Sequence, residues 1–254
     1  MRGACGPSPS AGSPVVTPTD PPSEVEDRSP VPEPRRNAGE VLPQSEPRVW
    51  RGIPRVERVQ ERRSRLIEAG LEVFGTVGLR ETTVGTICAQ AHLTQRYFYE
   101  SFPNLKALLA EVFTVVTERQ HQDMATSALD ARREGGDLIA AAQAALMAYF
   151  SSLQADRRVA RVQLLEILGC DDGTDRCYQA AIRRAADLVL VVSDIREVAA
   201  PAVPRLLALG LIGAVIEIAL MWFLADFADP LAAVVGSALV IFQSVITVAV
   251  HPPV

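Results

Sequence analysis

Two runs of about twenty residues close the chain, LLALGLIGAVIEIALMWFL at 206–224 and LAAVVGSALVIFQSVITVAV at 231–250, both almost entirely apolar. Each is long enough, as a helix, to cross a bilayer. Surface of that kind has to be covered by lipid or by protein. Glu217 falls near the centre of the first run, where a membrane would bury a carboxylate at considerable cost. Gly210, Gly213, Ala214, Gly236 and Ala238 would let neighbouring helices approach closely. Protein cover is therefore the better reading: two helices from each of two subunits, packed as a four-helix bundle. The expectation is a homodimer joined through helices at about 203–226 and 230–250, with no membrane.

The rest of the chain fits that helical frame. No convincing period-2 pattern appears, and proline and glycine mostly mark joints between amphipathic stretches. The expected fold class is all-α. Residues 1–54 hold twelve of the eighteen prolines and few large apolar residues. They cannot bury enough surface to offset ordering entropy, so they are read as a disordered arm. Charge is segregated. Residues 48–106 carry nine Arg and one Lys against six acids, while the flanking stretches 1–47 and 107–254 are both net acidic. A compact basic segment inside an acidic chain points to a polyanion partner for that segment.

Within the basic segment the punctuation is dense. A first helix is expected from about Arg55 to Gly75, with Leu66, Ile67, Leu71 and Phe74 forming its apolar stripe and Arg62, Arg63 and Arg65 largely facing elsewhere. Gly78 is the turn residue that ends it. Thr83 can cap a short helix through Gln90, and Thr94 a second through Ser101. Pro103 stops the second, and Asn104 caps a long helix from Leu105. Two short helices joined by a tight turn form a helix-turn-helix pattern.

The second short helix carries TQRYFYESF, residues 94–102. Phe98 and Phe102, four residues apart, share one face and are the core anchors. Tyr97 and Tyr99 then flank the core and reach toward solvent, with Arg96 between them and Gln95 beside Tyr99. Such a surface suits a DNA groove. Arg can bond guanine and Gln adenine bidentately, and Thr and Tyr hydroxyls can reach phosphates. Backbone N–H groups at Thr83–Val84 and Thr94–Gln95 add phosphate donors. Gln95 and Arg96 are the candidates for base edges. Thr83, Thr94, Tyr97 and Tyr99 are the candidates for phosphates or groove walls.

The stretch Arg62 to Phe113 resembles the DNA-binding domain of the TetR (tetracycline-repressor-like) family of transcriptional regulators. The matching features are the helix ending in Phe74, Gly78, the Thr82-Thr83-Val84 helix start, Ile87, Ala91, the Tyr99–Phe102 pair, and Leu108-Leu109 at the start of a long helix. The resemblance covers about 50 residues without insertions; beyond them only helical character matches. His92 stands where the family commonly has glycine, and is either an exposed turn residue or a phosphate contact. The family's phosphate-touching lysine position is Leu105, with Lys106 one residue on; Lys106 is retained as a candidate. Arg48, Arg51, Arg55 and Arg58 form either a solvated linker or an arm that follows the backbone or enters the minor groove. Arg51 and Arg55 are its candidates.

The resemblance implies a homodimeric transcriptional regulator, most simply a repressor. It implies double-stranded DNA of two-fold symmetry as one partner and a small-molecule effector as the other. Three parts are expected: the arm at 1–54, a DNA-binding domain at 55–104, and an effector-binding and dimerisation domain at 105–254. By resemblance the middle helices enclose the effector pocket, with Met124, Met147, Tyr149, Phe150, Gln163, Glu166 and Tyr178 as candidate lining. A helical ligand-binding or scaffolding module that has lost DNA binding is the alternative.

No Ser-His-Asp set, Gly-rich phosphate loop or metal-ligand spacing is visible, so no enzyme, cofactor or metal is expected. The four cysteines form no CxxC, and the N-terminus shows no apolar secretory stretch. Both favour a cytoplasmic location with reduced thiols.

Overall fold

The structure, a computed structural model, describes residues 55–193 and 202–250. The expected arm, with Arg48, Trp50 and Arg51, lies outside them. The described residues form nine α-helices and no strand. They are α1 (Arg55–Thr76), α2 (Val84–Ala91), α3 (Gln95–Ser101), α4 (Leu105–Arg133), α5 (Leu138–Ala155), α6 (Arg157–Arg161), α7 (Asp172–Ser193), α8 (Ala202–Leu224) and α9 (Leu231–Val250). A five-residue π segment, Val162–Glu166, follows α6 directly. The all-α expectation holds.

The first four helices close around a small aromatic and aliphatic core. Leu66 and Phe74 from α1, Ile87 from α2, Phe98 from α3, and Leu108, Leu109 and Val112 from α4 are fully buried. Burying each such side chain contributes roughly 1.5–3 kcal/mol. The same cluster takes in Val162 and Ile167, from the π segment and just beyond it. The head therefore shares its core with the body of the molecule.

Capping explains the short helices. Thr83 accepts from the Thr86 N–H, and the Thr86 hydroxyl accepts from the Thr83 N–H, a reciprocal capping box. Asn104 accepts from the Ala107 N–H and starts α4. Thr94 occupies the N-cap position of α3, but its side chain makes no capping bond. Its backbone carbonyl accepts from the Tyr97 and Phe98 N–H groups instead, which leaves the hydroxyl on the surface. His92 ends α2 in the left-handed region, at φ 51°.

The arginines of α1 are more structural than their sequence positions suggest. Arg65 donates to the carbonyls of Ala91 (2.6 Å) and His92 (3.3 Å), satisfying the end of α2. Arg63 bonds Glu111 on α4 at 2.6 Å and lies over the Phe102 ring.

Helices α5, α8 and α9 form a second core around Phe150, Leu153, Ala219, Trp222 and Ala238. Beyond Arg205 in its first turn, the exposed positions on α8 are Leu206, Gly210, Gly213, Glu217, Met221 and Leu224. That spacing is one stripe along a helix. A Cβ added at Gly210, Gly213 or Gly236 would meet nothing within 4 Å. Nothing among the described residues therefore requires glycine at these three positions.

Head and body meet at a close joint. A Cβ on Gly75 would lie 2.3 Å from Arg158 Cβ and 2.6 Å from its Cα. Helices α1 and α6 thus touch at a point only glycine permits. Gly78 turns the chain at φ +87°, with Arg161 and Glu166 against its Cα. Glu166 accepts from the Leu79 N–H (2.7 Å) and from Arg161 Nε (2.8 Å). Arg161 also donates to the Thr76 carbonyl, and Arg158 bridges Glu72 and Asp156.

Candidate nucleic-acid interface and buried cavity

The helix-turn-helix presents a continuous exposed surface. Thr83, Gly85, Thr86, Thr94, Gln95, Arg96 and Tyr99 are all exposed. A Cβ on Gly85 would lie 3.5 Å from Thr83 Oγ1 and 3.9 Å from Gln95 Nε2, so the starts of α2 and α3 sit side by side. Arg96 is 83 % exposed and pairs with Glu100 through Nε at 2.9 Å. A pair this exposed contributes little to stability. The terminal guanidinium nitrogens of Arg96 have no protein partner among the described residues. They are free for an acceptor fork such as a guanine edge.

The three aromatics separate as the helix geometry requires. Phe98 is buried, and Tyr99, 59 % exposed, stands edge-on to it at 5.3 Å. Tyr97 departs from expectation. It is half-buried, with the Arg62 guanidinium 4.4 Å above its ring. The pair forms a wall between α1 and α3 that holds a cation beside the reading face. Arg62 was missed because its partner lies 35 positions further along, beyond any local pattern.

Lys106 does not join this surface. Its ammonium donates to the Cys170 carbonyl at 2.7 Å and lies 4.0 Å from Asp171. One of its three donors is used by that carbonyl, and Asp171 offsets part of its charge. One residue of helical rotation accounts for the difference from Leu105. Arg55 opens α1, and nothing is described of its side chain.

A cavity in two adjoining lobes lies between α4, α5, α7 and α8, with the π segment closing one lobe and Phe242 of α9 the other. The lobes hold about 80 and 90 Å³. His121, Met124, Ala185, Ile212 and Val215 line both. The second lobe, walled by residues such as Ala128, Ala142, Leu146, Leu188 and Phe242, is apolar apart from His121. The first gathers the polar groups Thr117, Gln120, His121, Tyr149, Gln163 and Tyr178. Among the described residues, no Arg, Lys, Asp or Glu lines either lobe. Burial, with Arg184 nearby, holds His121 below its ordinary value and therefore neutral at pH 7. Burial and the neighbouring Tyr178 push the Tyr149 phenol far above its ordinary range, so it stays protonated.

Of the seven residues proposed to line a pocket, Met124, Tyr149, Gln163 and Tyr178 meet here. Three do not. Phe150 is fully buried and packs edge-on against Trp222 at 5.8 Å. Met147 packs against the α5–α8–α9 core. Glu166 is engaged at the joint with Leu79 and Arg161. Thr117, Gln120 and His121 were missed, although a signal existed. With Met124 they fall at i, i+3, i+4 and i+7 of α4, so one helical stripe carries three polar residues and a methionine.

Comparison with known proteins agrees with this architecture. Residues 66–112 match the family model described as bacterial regulatory proteins, tetR family. The TetR-like DNA-binding segment expected from the sequence is therefore present. No curated protein matches the sequence. Solved structures share the fold at low identity. A tetR-family transcriptional regulator from Streptomyces coelicolor superimposes with a TM-score of 0.62 at 19 % identity, covering 75 % of this chain and 82 % of that one. A FadR regulator from Bacillus subtilis in complex with stearoyl-CoA gives 0.56 at 19 %, covering 75 % and 99 %. FadR from Thermus thermophilus, a repressor in complex with lauroyl-CoA, gives 0.56 at 18 %, covering 71 % and 93 %.

Proposed function

We propose that this chain, carrying a tetR-type DNA-binding segment, is a ligand-responsive transcriptional repressor that binds a two-fold operator as a homodimer. The observation that carries the reading is the family match over residues 66–112, within which Thr83, Gln95, Arg96 and Tyr99 are exposed on and beside two short helices. Helix α3 enters the major groove. Gln95 and Arg96 read base edges, and Thr83, Thr94, Tyr97 and Tyr99 contact phosphates or line the groove. Arg51 and Arg55 extend the contact along the backbone. Lys106 would do so with the donors that its bond to the Cys170 carbonyl leaves over.

The dimer forms through the outer stripe of α8 and the adjoining face of α9. The exposed glycines at 210 and 213 support this, because a close partner backbone is the simplest reason for them. Two described helices, Leu138–Ala155 and Arg205–Leu224, are long and apolar enough to cross a membrane. Glu217 lies in the exposed stripe of the second, which favours a protein partner over lipid. Without detergent the purified protein should sediment as a dimer; a requirement for detergent would support insertion instead.

The effector occupies the two-lobed cavity; that two regulators of like fold are seen in complex with stearoyl-CoA and lauroyl-CoA supports a small-molecule ligand. The coupling route is short. Gln163 lines the cavity, and Glu166, three residues on in the same π segment, grips Leu79 at the end of the head's first turn. A ligand shifts the heads only by binding one arrangement of this segment better than the other. The chain then acts in the cytoplasm, without enzymatic chemistry.

Arg96→Ala tests the reading face. Binding should weaken by about 1–3 kcal/mol on sequences carrying the cognate base, and discrimination at that position should relax. An equal loss on every sequence would move Arg96 to the phosphate contacts. A protein that retards no DNA from its own upstream region would favour the alternative, a helical ligand-binding or scaffolding module.

A further inference from the structure

Gln163 is 7 % exposed, and its Oε1 is the only buried side-chain nitrogen or oxygen without a hydrogen-bond partner among the described residues. It sits in the wall of the cavity. Buried polar atoms are nearly always satisfied, so an orphan at a cavity wall calls for a partner.

The surrounding bonds fix which end of the amide is left over. The Tyr149 carbonyl can only accept, and the Ser152 hydroxyl donates to it at 2.8 Å. Ser152 Oγ therefore accepts from Gln120 Nε2, at 2.6 Å. That turns Gln120 Oε1 toward Gln163, whose Nε2 donates to it at 3.0 Å and to Thr117 Oγ1 at 3.0 Å. Both amide hydrogens of Gln163 are used. What remains is an acceptor with no donor. An amide has no proton to rearrange, so Oε1 needs a donor from outside this network, and the cavity that Gln163 lines is where one can enter, with a small shift of the side chain.

We propose that the cavity takes an uncharged, slender, lipophilic molecule carrying a hydroxyl or N–H donor, and that Gln163 Oε1 accepts that donor. Absence of any cation from the lining removes the counter-charge a carboxylate or phosphate would need there. A carbonyl or carboxylate would set lone pairs against lone pairs at Oε1. Each lobe is a little over half the ~150 Å³ that houses a benzene ring, so a single chain suits the space better than a fused ring system. The hydroxyls of Tyr149 and Tyr178, neither with a hydrogen-bond partner among the described residues, can adapt to a second polar group. This assignment deepens the effector reading above and rests on it only for the consequence of binding.

Calorimetric titration of the full chain with 1-octanol, 2-octanone and octanoate separates the chemistries at nearly constant apolar size. The alcohol should bind about tenfold or more tighter than the ketone, the scale of one buried acceptor satisfied or left unpaired. Octanoate should bind more weakly still. In Gln163→Met the alcohol and ketone should bind alike. If that variant does not fold, Gln120→Met serves. It frees the Gln163 amide to present either end, and the alcohol preference should collapse toward one. Equal affinities in the parent chain, a preference for the ketone, or binding of none of the three would each overturn the assignment. DNA retardation by the same preparations keeps the two readings apart. An alcohol preference in protein that never binds DNA would retain the donor assignment and sink the repressor. DNA binding with no alcohol preference would do the reverse.

Discussion

The head and the cavity-bearing body handle burial in opposite ways. The head packs Phe74, Phe98 and Ile87 with no accessible surface left. It spends its buried-side arginines on fixed acceptors: Arg65 on the end of α2, Arg63 on Glu111. Arg58, Arg80 and Arg96 are left exposed. The body leaves two unfilled lobes, lines them with uncharged groups, and leaves one acceptor unpaired. The first arrangement defines a single rigid surface for a partner of fixed shape. The second keeps a state whose energy a small molecule can lower. The joint at Gly75, Arg158, Arg161 and Glu166 is where a change in the second can move the first.

The largest effect should come from opening the closed region. Phe98→Ala removes a fully buried ring and should cost about 3–5 kcal/mol. Because Val162 and Ile167 belong to the same cluster, the loss should lower one shared unfolding transition. Two separate transitions, with only the earlier one shifted, would show that head and body unfold independently and would weaken the comparison.

Next is the joint. Gly75→Ala forces a methyl against the backbone of Arg158, where neither helix can yield by rotating a side chain. Overpacking of this kind costs about 1–3 kcal/mol. DNA binding should survive, while its response to any cavity ligand should be blunted. Unchanged denaturant stability and an intact response would mean that α1 and α6 part freely. Transmission would then run elsewhere.

Much of the head was legible in the sequence because its constraints are local. Caps at Thr83 and Asn104, the stop at Pro103, and the pairing of Phe98 with Phe102 each lie within one or two turns of helix. Thr94 was legible as a position but not as a bond, since backbone carbonyl and side chain compete for the same donors. The body was legible as helices and not as a cavity. Its lining comes from five helices and the π segment, spread from Phe113 to Phe242, and no single stretch encodes their meeting. Tyr149 and Phe150 show the limit. They are neighbours in sequence, yet one lines the lobe and the other is sealed against Trp222. Composition could not tell them apart.

A smaller effect tests the turn of the head. His92 holds φ 51°, a region that costs a residue with a Cβ roughly 1–2 kcal/mol. Glycine removes that strain but adds freedom to the unfolded chain. The net expectation for His92→Gly is a gain of up to about 1 kcal/mol, read by denaturant unfolding, with the Arg65 bonds to the Ala91 and His92 carbonyls unaffected. A loss of stability would mean that the imidazole contributes something beyond filling a turn.

The smallest expected effects are two steps in stability against pH, and they fall on either side of the comparison. His121, in the cavity wall, has its value lowered by burial first and by Arg184 second, with Glu118 opposing. The unfolded chain therefore binds a proton more readily than the folded one. Stability from this group is complete above the ordinary histidine value of 6.5 and declines as pH falls below it. Asp156, at the joint, has its value lowered chiefly by the side-chain hydrogen bond from Arg158. Its contribution is present above the ordinary 3.8 and is lost as pH falls through its lowered folded value. Thermal unfolding measured from pH 7.5 to 3 should show a gentle decline beginning near 6.5 and a separate one below 4. His121→Gln should remove the first and leave the second; Asp156→Asn should leave the first and reduce the second, to which Asp171, lowered chiefly by the Thr174 backbone N–H, also contributes. If His121→Gln leaves both steps in place, the upper one does not belong to the cavity, and the body's uncharged lining would no longer distinguish it from the head in this way.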